Sequence, residues 1–272
     1  MSVKIGTCSW NYSSWVGLVY DQTENRSADY LPQYAKKYNT TEIDSWFYKI
    51  PTEQEVLEYK ENVPENFEFT CKAPRDITMP LLRNNEKSVN RDFLSSKKMD
   101  AFLNAVEPLL PQISVVMLEF EYLNKNKMSS VSRFVELLEG FVDKIPDSVP
   151  LGIEIRNSNY LRSEYFRFLK NKNIIPVLSE KQYMPPLPEI YKRFEQYMGD
   201  KLVFRLMGGD RTEIEEQTEN RWNKIVQPKD SLSDIAELIK KIHEQKDVFV
   251  NINNHYEGSA PLTIEKLQKQ LN

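Results

Sequence analysis

Eight short apolar segments, each followed by a helix-like pattern, recur along the chain, and this alternation limits the fold more than any other feature. The segments are Val3 to Trp10, Thr41 to Thr52, FEFTCKAP (67–74), SVVMLEF (114–120), LGIEIRN (151–157), IIPVLSE (174–180), KLVFRLMGG (201–209) and VFVNINN (248–254). Strands joined through helices pair in parallel, and eight such units are the number that closes into a barrel. A chain of 272 residues suits one barrel, which takes about 250 residues. The expectation is therefore an α/β protein, a single-domain TIM-like (β/α)8 barrel over residues 1–272. An open doubly wound sheet would want a glycine-rich phosphate loop after the first strand, and GTCSWNYSSWVG is not G-x-G-x-x-G.

Local punctuation supports the helices. Pro51 ends the second segment, and Thr52 with Glu55 forms a capping box; Ser129 or Ser130 caps the helix over SSVSRFVELLEGFVDKI. The stretch ITMPLLRNNEKSVN reads as a long loop. The acidic insertion DRTEIEEQTEN reads as a solvated loop, with a lid over the barrel mouth as the alternative.

The second segment breaks the rule for a buried parallel strand, which should be a near-continuous apolar run. Glu42 and Asp44 flank Ile43 on one face, and Trp46, Phe47 and Tyr48 follow at once. Side-chain alternation then sorts the other strands. Gly152, Glu154 and Arg156 point inward opposite Ile153 and Ile155; Glu68, Thr70 and Lys72 opposite Phe67, Phe69 and Cys71; Val203, Arg205 and Met207 opposite Leu202, Phe204 and Leu206; Phe249, Asn251 and Asn253 opposite Val248, Val250 and Ile252. An interior holding Glu42, Asp44, Lys72, Glu154, Arg156, Arg205, Asn251 and Asn253 is too polar for packing alone, because barrel interiors are filled by bulky branched side chains and buried ions seldom gain net stability. Most of these residues also end their strands on the carboxyl side, where barrel enzymes keep their sites.

The enzyme reading, of hydrolase or lyase type, assigns Glu42, Asp44, Lys72 and Glu154 to catalysis. It assigns Trp10, Trp46, Tyr48, Arg75, Arg156, Arg205, Asn251 and Asn253 to binding an anionic or phosphorylated substrate. Two readings compete: a binding protein for a phosphorylated metabolite or nucleic acid, and an ion network of three acids and three bases that only fixes register. The aromatics read equally as lids, and Asn253 with Asn254 as a turn. A net charge of -4 gives nucleic acid no support. His243 and His255 are the only histidines, too few for a multinuclear zinc site. Mg2+ or Mn2+ on Glu42, Asp44 and Glu154 is opposed by Lys72 and Arg156, so no metal is expected and no cofactor is assigned. Cys8 and Cys71 read as reduced core thiols. With no apolar leader in MSVKIGTCSW and no run of about 20 apolar residues, a cytoplasmic protein without a membrane partner is expected.

The segments GTCSW with SSWVGLVY, YLPQYAKKYNTTEIDSWFYKIPT, ENFEFTCKAPRDIT, GIEIRNSNYL, VFRLMGG and INNHYEGSAP resemble the YecE-like family of domains of unknown function along nearly the whole chain. The resemblance implies a TIM-like barrel and, by analogy with barrel nucleases, a nucleic acid or phosphorylated ligand. Where relatives commonly carry histidine, this chain has Met79, Asn157 and Met207, and a common Gln and Pro-Pro of the fourth strand are replaced by Met117, Glu119 and Phe120.

Overall fold

The computed structural model describes residues 1–83 and 85–272, and for residues 85–87 the backbone alone. Eight parallel strands form one sheet: β1 Val3–Thr7, β2 Thr40–Ile43, β3 Glu68–Lys72, β4 Ile113–Glu119, β5 Leu151–Glu154, β6 Ile175–Lys181, β7 Lys201–Gly208 and β8 Asp247–Ile252. Each neighbours the next, and β8 pairs back onto β1 with Val3 opposite Val248. The helices between them are α1 Ser27–Lys37, α2 Glu53–Glu61, α3 Ser96–Val106, α4 Val131–Val142, α5 Ser163–Asn171, α6 Leu187–Phe194, α7 Arg211–Thr218 and α8 Ser231–Ile242, with α9 Ala260–Leu271 after β8. The predicted (β/α)8 barrel is the observed architecture.

The seam between β1 and β2 is the least regular part of the ring. Only Cys8 and Glu42 form a backbone bridge there, and Ser9 N–H donates to the Glu42 carbonyl at 3.0 Å. A side chain completes the rest. The buried Tyr34 hydroxyl, from α1, accepts from Thr7 N–H at 3.0 Å and donates to the Thr40 carbonyl at 3.0 Å. Backbone groups out of water must find partners, and here an aromatic alcohol takes the place of a ladder bond.

Alternation sorts the strands as expected. Ile153, Ile155, Phe67, Phe69, Cys71, Leu202, Phe204, Leu206, Val248, Val250 and Ile252 belong to the large cluster packed under the helices. Val115, Met117, Val177, Val203 and Phe249 form a separate small cluster inside the barrel. Gly152 makes room for it, since a Cβ there would stand 2.7 Å from Val115 and 3.0 Å from Val177. The floor is polar, with Lys4 on Glu68 at 2.7 Å and Ser114 also bound to Glu68.

Four local expectations change, and one pair of alternatives is resolved. The second strand stops at Ile43, and Ser45–Phe47 is a 3-10 turn. Thr52 caps α2 by accepting from Glu55 N–H at 3.2 Å, but the Glu55 carboxylate turns to Lys49 and the Trp46 indole instead of completing the box. Ser130, and not Ser129, caps α4, accepting from Arg133 N–H at 3.1 Å. The loop after β3 contains a short antiparallel pair, Leu81–Leu82 with Asn85–Val89; Asn84 within it lies outside the described residues. The acidic insertion is helix α7, started by Asp210, whose carboxylate accepts from the Thr212 and Glu213 amides at 2.8 and 3.2 Å. No described helix is long and apolar enough to cross a membrane.

Removing the Tyr34 hydroxyl alone strands two buried backbone groups. Tyr34→Phe is expected to cost about 1–3 kcal/mol, read as a lower urea midpoint with an unchanged slope. An unshifted midpoint would show that the seam does not need this hydroxyl.

Candidate functional site

Above the apolar layer, one inward side chain from each strand forms a polar ring: Cys8, Glu42, Lys72, Glu119, Glu154, Ser179, Arg205 and Asn251, all buried. Register and alternation put them there. Ser179 pairs with Arg205 and Arg205 with Asn251 across adjacent strands, and Glu119 pairs with Glu154.

Arg205 is the hub. Its Nε and Nη2 donate to both oxygens of Glu42 at 2.8 and 2.7 Å, and its Nη1 reaches Glu119 at 2.9 Å and Glu154. A planar fork suits this bidentate recognition. Lys72 lies 3.1 Å from Glu119 and 3.6 Å from Glu42, and also contacts Asp44. The remaining acceptors are supplied by neutral groups: Asn251 donates to Glu42 at 3.0 Å and to Thr70 at 2.8 Å, and Ser179 donates to Glu154.

Charge states follow from these contacts. Burial alone would push the Glu119 carboxyl up, but Lys72, Arg156 and Arg205 outweigh it and hold it well below the usual carboxylate range. Burial alone would lower Lys72, yet Glu119, Asp44 and Glu42 hold its ammonium above the ordinary lysine value. Burial, then Glu42, push the Cys8 thiol well up, which keeps it the protonated core thiol that its sequence context suggested.

The site therefore has a sealed half and a wet half. Glu42, Glu154 and Arg205 are 0% exposed. Asp44 and Arg156 are partly open, with 33% and 24% of their side chains accessible. Arg156 binds Glu119 through Nη2 at 2.8 Å, while its Nε, 3.7 Å from Glu154, has no hydrogen-bond acceptor. Beside it stands Lys181, half-buried at the end of β6, with no hydrogen-bond or ion-pair partner among the described residues. Burial, then Arg156, lower its pKa against the pull of Glu154 and Glu119.

Of the residues expected to form the site, Glu42, Asp44, Lys72, Glu154, Arg156, Arg205 and Asn251 converge. Trp10, Trp46, Tyr48, Arg75 and Asn253 do not join them. Ser9 adopts a left-handed φ of 67°, and Trp10 beyond it packs edge-on against Tyr59 of α2 and donates to the Ser27 carbonyl of α1. Trp46 is wholly buried between Tyr59 and Phe102. Tyr48 is exposed and pairs with Arg75 outside the ring at 5.3 Å; Phe47 instead lies over Lys72 at 5.1 Å. Asn253 sits on the rim, where its carbonyl oxygen accepts from His255 N–H at 2.9 Å, and Asn254 accepts from Ala260 N–H at 2.9 Å, so this pair is a turn. Helix α7 meets the rim where Glu215 contacts His255 at 3.0 Å.

Three members were missed. Glu119 follows Val115 and Met117 at strand spacing, a signal present in the fourth segment, whose faces were not sorted. Ser179 and Lys181 follow Val177 in the same way, and the strand runs to Lys181, one residue beyond the segment expected to end at Glu180. Asn157 clamps the backbone of Leu123, accepting from its N–H at 2.7 Å and donating to its carbonyl at 2.9 Å. Among the described residues no group of three His, Cys, Asp or Glu is arranged to hold a metal; the carboxylates that converge do so on Arg205.

Replacing the hub by an apolar side chain strips the cation from three buried carboxylates. Arg205→Met is expected to cost about 3–5 kcal/mol at neutral pH. The sign of the pH dependence is set by the shifts. Glu119, lowered on folding, contributes stability that is present above its ordinary value of 4.5 and lost as pH falls below it, whereas Lys72, raised on folding, contributes below 10.5 and loses it as pH rises through the folded value. Wild type should thus weaken in acid, while the variant's stranded carboxylates favour protonation, so the deficit of Arg205→Met should shrink as pH falls from 7 towards 4. A deficit constant across that range in denaturant titrations would rule out ionised carboxylates around Arg205.

Comparison with known proteins agrees with this architecture. Residues 4–272 match the model of a family described as a protein of unknown function, DUF72. UPF0759 protein YecE of Escherichia coli (strain K12) is 24% identical over 159 residues, 58% of this chain and 50% of that protein, so the chain spans about half the length of the curated relatives it matches. A DUF72 family protein from Enterococcus faecalis V583 superposes with a TM-score of 0.73 at 20% identity, over 100% of this chain and 96% of the other. One from Thermotoga maritima MSB8 gives 0.72 at 21% identity, over 100% and 99%. An L-ribulose 3-epimerase shares the barrel more distantly, with a TM-score of 0.53 at 13% identity over 99% and 86%. By its sequence along almost its whole length, and in keeping with its fold, the chain belongs to the DUF72 family.

Proposed function

We propose that the wet half of the barrel mouth binds a small phosphorylated or carboxylated molecule on Arg156 and Lys181, above an ion network that acts as a rigid scaffold. The observation that carries this reading is two cations at neighbouring strand ends: Arg156, whose side chain is 24% accessible, and Lys181, half-buried and without a hydrogen-bond or ion-pair partner among the described residues. A partly desolvated cation lacking an acceptor is costly, and an oxyanion between Lys181 and the accessible part of the Arg156 guanidinium would offset that cost.

Glu42 and Glu154 are sealed and bound to Arg205, which suits them to holding that cation in place. The mouth also suits an organic anion better than an inorganic one. Tyr122 and Tyr183 are exposed on the segments after β4 and β6, where flat faces can border a ligand.

A panel of inorganic phosphate, small phosphorylated metabolites and carboxylic acids, screened by thermal shift, tests the reading. A ligand at about ten times its Kd should stabilise the protein by about 1.4 kcal/mol. The shift should vanish in Lys181→Met and Arg156→Met and persist in the control Lys36→Met on exposed α1. Stabilisation that survives both mouth variants would place the anion elsewhere, and tight binding of single strands with a steep salt dependence would favour a nucleic acid instead.

A further inference from the structure

Two lysines face the same barrel mouth in opposite environments. Lys72 is surrounded by Glu42, Asp44 and Glu119 and is held as an ammonium. Lys181 has no carboxylate within ion-pair reach among the described residues and is half-buried at the end of a barrel strand, where burial and then the charge of Arg156 lower its pKa. An unpaired amine beside a fixed cation in a partly dry site is how a lysine becomes a nucleophile at neutral pH. Ser179, two residues earlier, binds Glu154 inside the barrel, and Glu180 between them turns outward to accept from Leu187 N–H at 2.8 Å; the ladder to β7 skips Met207 at this step, so the extra residue lies on β7, and alternation along β6 itself directs Lys181, opposite Gly208, towards the mouth.

From this geometry we propose that Lys181 forms an imine with an aldehyde or ketone that carries a phosphate or carboxylate, the anionic group resting on Arg156. The inference builds on the anion site proposed above and adds the carbonyl. In the step, the neutral amine attacks the carbonyl carbon, an N–C bond forms, and the carbonyl π pair moves to oxygen. A proton passes from nitrogen to that oxygen, a second comes from solvent, and the oxygen leaves as water. The product is a protonated imine. No oxidant or reductant is involved.

The charge balance of the mouth favours this product. Glu42, Asp44, Glu119 and Glu154 face Lys72, Arg156, Arg205 and Lys181, four of each sign. A protonated imine keeps the positive charge that the Lys181 ammonium carried, so covalent capture leaves the balance intact. Glu154 and Glu119, whose fields already favour a cation at Lys181, stabilise the iminium in the same way.

The test uses pyridoxal 5′-phosphate, an aldehyde with a phosphate, beside pyridoxal, which has the aldehyde alone, each followed by borohydride to fix any imine as a secondary amine. The expected result is one reduced pyridoxyl phosphate per chain, mapped by peptide mass spectrometry to Lys181. It should be lost in Lys181→Met, suppressed by excess inorganic phosphate and absent with pyridoxal; circular dichroism checks that the variant is folded. Equal labelling of Lys181 by both aldehydes would keep the nucleophile and remove the anion site. Stabilisation by phosphate with no preferential label at Lys181 would keep the anion site and overturn the imine. Labelling spread over surface lysines without stabilisation would overturn both.

Discussion

The guanidinium of Arg205 stands where three carboxylates from three strands meet, and the upper half of the barrel depends on that contact. Glu42, Glu119 and Glu154 would repel one another in a dry interior, and each alone would favour protonation. One fully buried fork with five donors joins all three. In many oxygen-rich sites such a set of carboxylates would take up a metal ion; here the chain supplies the cation itself. Because its side chain is tethered to β7, the network also ties β7 to β2, β4 and β5 across the barrel.

That arrangement explains why the interior carries so many ions without being open to water. Ion pairs of this kind contribute little net stability over apolar packing, but breaking one by removing a partner is expensive. The ring therefore specifies more than it stabilises: each strand must sit in its own register for the eight side chains to meet. The Val115, Met117, Val177, Val203 and Phe249 layer beneath is the part that works by burial alone. The two layers divide the work, the lower one excluding water and the upper one positioning charge.

Lys181, at the rim, stands out against these paired ions. Every carboxylate of the ring has a cationic or neutral donor in contact, whereas Arg156 Nε and Lys181 do not have acceptors. The ring's carboxylates are met in this way, although the Asn251 amide oxygen beside them is not, and Asn157 and Tyr34 show the chain supplying partners to buried backbone groups elsewhere.

Much of this could be read before any coordinates. The alternation of strand and helix, the eightfold count and the inward set Glu42, Lys72, Glu154, Arg205 and Asn251 follow from periodicity, because a barrel strand has only two faces and the helices claim the apolar one. Glu119 and Lys181 carried the same signal and were reachable by sorting two more strands. What periodicity could not give is direction beyond a strand's end. The left-handed turn at Ser9 sends Trp10 under the helices, Trp46 enters the core through a 3-10 turn, and Tyr48 swings out to Arg75. Nor could it say which ions are sealed and which are wet. The residue types and their faces are local properties of the chain, but exposure and pairing depend on how eight strands close around a shared axis, and only the tertiary structure decided that Arg205 is enclosed while Arg156 and Lys181 reach the mouth with donors to spare.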